Sequence, residues 1–123
     1  MGRELNDLVM KNIIVRRRMA DLSIKELLDN VRELGEAKGF VFEPERQFMY
    51  LASELGEVSK ELLVLTAKGS DEFQKIEARK NLGYEIFDAM WNLAAIASIY
   101  DIDVDTAARE KINKNKNRTF KPD

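Results

Sequence analysis

LGYEIFDAMWNLAAIASIY, residues 82–100, is an apolar or small-residue run that only Glu85, Asp88, Asn92 and Ser98 interrupt. Two ionised carboxylates beside that much apolar surface are costly unless something pairs with them. A second acidic pair, Glu54 and Glu57, sits in LASELGEVSKELL. Both pairs are spaced i, i+3, which puts each pair on one face of a helix. Four carboxylates converging between two helices would make a site for a hard divalent cation.

The rest of the chain is also helical in pattern. Apolar positions Leu5, Leu8, Val9, Ile13 and Ile14 predict a first helix over about residues 3–20, followed by Arg16, Arg17 and Arg18 at its solvated end. Ser23 to Glu26 is an S-x-x-E capping box ahead of a helix bearing Ile24, Leu27, Leu28, Val31 and Leu34, with Gly39 as its stop. Pro44 suits the first turn of the next helix, expected to run to about Lys68. On it Phe48, Leu51, Leu55, Val58 and Leu62 form an apolar stripe, and Gln47, Tyr50, Glu54, Glu57 and Glu61 form a second stripe beside it. Asp71 to Gln74 caps a fourth helix reaching about Ile99, with a loosening expected near Gly83. One face of that helix carries Leu82, Ile86, Met90, Leu93 and Ala97. Another carries Phe87, Trp91 and Ala94, with Glu85, Asp88 and Asn92 between them. A helix apolar on two sides is a central one, and in so small a chain the second face points to another subunit. Asp103 or Asp105 caps a last helix, on which Lys111, Lys114, Asn115 and Arg118 share a face.

Composition narrows the function classes. The 123 residues fit a single domain, 1–123, with 45% hydrophobic residues to form a core. Twenty basic against 22 acidic residues leave a net charge of −2, which gives no push toward nucleic acid or an anionic membrane. With no cysteine and no histidine, thiolate and imidazole chemistry are excluded, and any metal must be held by oxygen. The longest apolar stretch, residues 89–100, is too short to span a bilayer. A soluble, cytoplasmic protein is the expectation.

Glu54-Leu-Gly-Glu57 followed by Glu85-Ile-Phe-Asp88 resembles the E-x-x-E … E-x-x-D pattern of the MazG-type all-α nucleoside triphosphate pyrophosphohydrolases. Lys111, Asn115 and Arg118 are similar to that family's closing K-x-x-x-N-x-x-R. The resemblance covers residues 42–118, and residues 1–22 form an extra N-terminal helix before its usual start. It implies an all-α antiparallel bundle of about four to five helices, completed by dimerisation into a homodimer or homotetramer. It also implies Mg²⁺-dependent cleavage of a (d)NTP, canonical or noncanonical, to the monophosphate and pyrophosphate, with Mn²⁺ as a substitute ion. Carried over by residue, Glu54, Glu57, Glu85 and Asp88 are the catalytic metal ligands, with Glu61 a further candidate one turn along. Asn92, Lys111, Lys114, Asn115 and Arg118 are the substrate-binding candidates. Phe40, Phe42, Tyr50 and Trp91 are candidates for stacking a base.

Three rivals stand beside this reading. A di-iron carboxylate bundle uses Glu-x-x-His motifs, which a chain without histidine lacks. A noncatalytic helical dimerisation or regulatory module would keep the subunit face and treat the acids as structural charges. A phosphoribosyl-ATP pyrophosphohydrolase, within the same superfamily, typically has a histidine soon after its aspartate, where this chain has Trp91-Asn92.

Overall fold

The computed structural model describes residues 2–4 and 21–119. Residues 2–4 are helical, and the first helix expected from the sequence, with Arg16 to Arg18, falls mostly outside the described residues. Four helices follow: α1 (Ile24–Lys38), α2 (Pro44–Thr66), α3 (Glu72–Ile99) and α4 (Val104–Lys116). The described residues contain no strand, and the fold is an all-α helical bundle. Among them, no helix is long and apolar enough to cross a membrane.

Local chemistry sets the helix ends. Ser23 Oγ accepts the backbone N–H of Glu26 at 3.1 Å, the N-terminal half of the anticipated box. At the other end Gly39 adopts φ 67°, a left-handed conformation that glycine enters without a Cβ penalty. Pro44 occupies the first turn of α2, where its missing N–H leaves no helical bond unmade. Asp71 and Gln74 form a complete capping box: Gln74 N donates to Asp71 Oδ1 at 2.8 Å and Asp71 N donates to Gln74 Oε1 at 2.9 Å. Of the two candidate caps for α4, Asp103 is the one used. The hydroxyl and backbone N–H of Thr106 both donate to it, which holds its carboxyl below the usual value. Helix α3 runs unbroken through Gly83, contrary to the loosening expected there; one exposed glycine costs only about 1 kcal/mol.

The α2–α3 pair makes most of the tertiary contact. Gln47 meets Asn92 while Glu54 meets Glu85, so the two helices run antiparallel. On α2 the buried or half-buried positions include Gln47, Leu51, Glu54, Val58, Glu61 and Leu65. On α3 they include Ala78, Leu82, Glu85, Ala89, Asn92 and Ile96. Both sets alternate steps of four and three, the repeat that lets side chains interlock along a two-helix seam. The helices therefore meet along the border between the two stripes of α2, with Tyr50 and Glu57 of the polar stripe left exposed. The apolar stripe read from the sequence contributes Leu51 and Val58 to the seam but leaves Phe48, Leu55 and Leu62 exposed. The reason lies on α3, where alanines at 78 and 89 allow close approach and where Asn92 and Glu85 supply partners for polar groups.

Helix α1 lies across the C-terminal half of α3. Leu27 and Val31 pack with Ala94 and Ala95, and Leu28, Phe42 and Trp91 close around them. Arg32 ties this layer to the turn after α3, bonding Ser98 Oγ at 3.2 Å and pairing with Asp101. The loop from Gly39 to Glu43 then folds Phe42 back against Gly35, where an added Cβ would come within 2.7 Å of the ring.

Gly35→Ala tests this packing. Overpacking against Phe42 costs about 1–3 kcal/mol, whereas the gain in helix propensity is at most about 1 kcal/mol. The variant is expected to unfold at lower denaturant than the wild type. Its penalty should vanish in a Phe42→Leu background, as read by a double-mutant cycle.

Candidate metal centre

The seam brings three of the four predicted carboxylates together. Glu54 comes from the middle of α2, and Glu85 and Asp88 sit one turn apart on α3. One oxygen from each lies within 4.8 Å of the other two. Glu54 and Glu85 are half-buried, and Asp88 opens to solvent. Glu57 lies one turn further along α2, half-exposed, with Lys60 at 3.9 Å from its carboxylate. It stays outside the triad, although its charge acts on Glu54. Glu61, half-buried a turn beyond, is also outside it.

Close carboxylates cannot all ionise without strong repulsion. Here the strain falls on Glu54, whose carboxyl is pushed up from 4.5 to about 7. The largest cause is its hydrogen bond with Glu85; desolvation follows, then the charges of Asp88, Glu85 and Glu57. The hydrogen bond to Glu85 thus favours the protonated form of Glu54 in the bare cluster. A divalent cation would relieve the same repulsion with more charge.

The donor set fits such an ion. Mg²⁺ binds oxygen at about 2.1 Å, so two of its ligands lie at most about 4.2 Å apart. Small side-chain adjustments bring oxygens that start within 4.8 Å to that spacing. Three carboxylates also leave coordination positions for water and phosphate, the usual habit of Mg²⁺.

Asn92 is buried and forms part of the framework of the site. Its Nδ2 donates to the main-chain carbonyl of Asp88 at 3.1 Å, and its Oδ1 accepts from Gln47 Nε2 at 3.4 Å. Gln47, only 3% exposed, was not legible as a site residue. The available clue was its place, seven residues before Glu54, on the same stripe of α2. Tyr50, Glu54, Asp88, Trp91 and Asn92 line a cleft of about 330 Å³ over the triad. It adjoins a second cleft of about 500 Å³ between the loop at Phe40–Phe42 and the start of α2, with Tyr50, Trp91 and Asn92 common to both.

The remaining candidates lie elsewhere. Lys111, Lys114 and Asn115 are exposed on α4, and Arg118 follows its end, its N–H bonded to the Asn115 carbonyl at 3.3 Å. Helix α4 packs on α1, and none of the four lines the acidic cleft. No family model matches the chain, and no curated protein matches it.

The raised Glu54 value has a definite sign in stability. The native state holds the Glu54 proton to higher pH than the unfolded chain does, so stability falls as pH rises from about 4.5 to about 7. Without divalent cations, the melting temperature of the wild type is expected to decline across that window. Glu54→Gln should flatten the decline and be the more stable protein at pH 8; thermal denaturation at pH 5 and pH 8 reads both.

Proposed function

We propose that the chain is a Mg²⁺-dependent nucleotide pyrophosphohydrolase that cleaves a (d)NTP between its α and β phosphates, releasing the monophosphate and pyrophosphate. The observation that carries this reading is the meeting of Glu54, Glu85 and Asp88 across an antiparallel helix pair, in the order of the E-x-x-E … E-x-x-D pattern. Glu54, Glu85 and Asp88 would hold the ion, with Glu57 and Glu61 on the same helix as further ligands. Mg²⁺, when bound, supplies charge that neutralises phosphate and makes water a better nucleophile; Mn²⁺ suits the same oxygen set.

The side chains have separable tasks. One carboxylate of the cluster that the ion leaves free would accept the proton of the attacking water. Asn92 fixes the α3 turn that presents Asp88. Lys111, Lys114, Asn115 and Arg118 hold phosphate oxygens, for which a planar Arg fork is well shaped. Because their helix packs away from the cleft, they serve the site through assembly.

A homodimer or homotetramer supplies that assembly. Exposed apolar side chains cover the outer faces of both long helices: Phe48, Met49, Leu55, Leu62 and Leu63 on α2, and Phe73, Ile76, Ile86, Met90 and Leu93 on α3. So many exposed apolar side chains on two helices favour an interaction site. The same observation favours the second reading, a noncatalytic helical dimerisation or regulatory module. The phosphoribosyl-ATP variant of the reaction ranks below general (d)NTP cleavage, because that group has a somewhat different acidic pattern and this chain has Trp91-Asn92 where a histidine is typical. Localisation in the cytoplasm, with its nucleotide pool, is part of the proposal.

Pyrophosphate release from a panel of canonical and modified NTPs and dNTPs, in Mg²⁺ or EDTA, separates these readings. Turnover is expected in Mg²⁺ alone and should fall about a hundredfold or more in Asp88→Asn, the scale of losing a positioned catalytic group. Mg²⁺ should raise the melting temperature of the wild type and not of the variant. No turnover and no thermal shift would leave the noncatalytic module. Sedimentation equilibrium is expected to give a mass of at least two chains, reduced to one by a Leu55→Glu/Leu62→Glu double substitution.

A further inference from the structure

We propose that Gln47 is a specificity-determining residue that reads the polar edge of a nucleobase seated in the aromatic cleft beside the carboxylates. The inference rests on the nucleotide reading and adds to it the group that chooses the base. The cleft, at about 500 Å³, is in the size range of small-molecule sites. It shares Tyr50, Trp91 and Asn92 with the acidic cleft, so a ligand with its phosphates at Asp88 has its far end here. The walls are aromatic: Phe42 stands edge-on to Trp91 at 5.6 Å, and Phe40 stands edge-on to Phe42 at 6.3 Å. Aromatic faces hold flat bases by stacking, and that interaction alone tolerates any base.

Selection among bases needs a polar group in a fixed direction, and Gln47 is one. It is 3% exposed and lines this cleft. Its orientation follows from its neighbours. The Asp88 carbonyl can only accept, so Asn92 must turn Nδ2 toward it and Oδ1 toward Gln47. Gln47 must then turn Nε2 toward Asn92. What remains is one N–H donor and the Oε1 acceptor, in an order the hydrogen-bond chain does not allow to reverse. Amide side chains read bases through such a donor–acceptor pair. Amino and keto bases present the complementary pair in opposite order, cytosine against uracil and adenine against hypoxanthine. A fixed amide therefore accepts one member of each couple and leaves polar groups unpaired against the other, the arrangement that gives large discrimination.

Trp91 is the only tryptophan of the chain, so its fluorescence reports occupancy of the cleft without any turnover. The experiment titrates the full-length protein, in Mg²⁺, with CMP, UMP, AMP and IMP, and with ribose 5-phosphate as the baseless control. Quenching is expected from the nucleotides and not from the control, with at least a tenfold preference within each amino/keto couple. Gln47→Met, which keeps the volume and loses the polar edge, should bring the two members of a couple to within about twofold. Gln47→Ala provides a second variant that adds no bulk, and circular dichroism establishes that each is helical. The proposal is overturned if no nucleotide quenches Trp91 more than ribose 5-phosphate. It is equally overturned if the wild type does not discriminate within the couples, or if a folded Gln47 variant keeps the wild-type preference. Discrimination that depends on Gln47 in a protein without pyrophosphate release would sustain this proposal while removing the pyrophosphohydrolase one.

Discussion

The contact between Glu54 and Glu85 is the constraint to which the rest of the molecule is arranged. Two acids facing each other in the seam of a helix pair repel when both are ionised, and they hold together through a shared proton or a shared cation. Such a contact survives only on rigid supports. The capping box at Asp71, the proline at the head of α2 and the interlocking repeat along both helices supply that rigidity. Asn92 extends the polar layer by two turns from Glu85 and joins it to Gln47, so the seam has a polar stripe from Gln47 to Glu61.

This stripe inverts the usual economy of a small helical protein. Gln47, Asn92, Glu54 and Glu85 share the inside of the pair with leucines and alanines, while Phe48, Leu55, Leu62 and Ile86 are exposed. The only large side chain among the described residues that is wholly buried is Val31, in the small layer between α1 and α3. A chain with so little interior apolar burial draws on surface it has not yet covered, and the outer faces of α2 and α3 are that surface.

Much of this was legible in the residues. Gly39, Pro44 and Asp71 marked helix ends because each has one dominant local role, and local roles are written in adjacent residues; the start of α4 was narrowed to Asp103 or Asp105. The carboxylates were legible because charges in an apolar run demand a reason. The direction in which α2 faces was not. Its two stripes differ by a small rotation, and where the seam falls between them is set by the alanines of α3, which lie far away in sequence. Gln47 escaped for the same reason, since an amide on a helix carries no cost until another helix buries it. The spacing of Glu57 gave it the same standing as Glu54, yet only Glu54 sits at a seam step, and Glu57 turns toward Lys60. The position of α4 relative to the cleft was equally out of reach, because a basic helix carries no local mark of which neighbour it packs on.

The thin layer under α1 bears on motion. It consists of Leu27 and Val31 against two alanines, with one exposed ion pair at its end, whereas α2 and α3 are locked along their length. Elements with few buried contacts open at a lower free energy than the whole molecule unfolds. Phe42 leans on Gly35 of α1, so a local opening of that helix takes down one wall of the aromatic cleft while Glu54, Glu85 and Asp88 keep their places. The fold thus separates a slower-exchanging spine that carries the three carboxylates from a faster-exchanging cover over the neighbouring cleft.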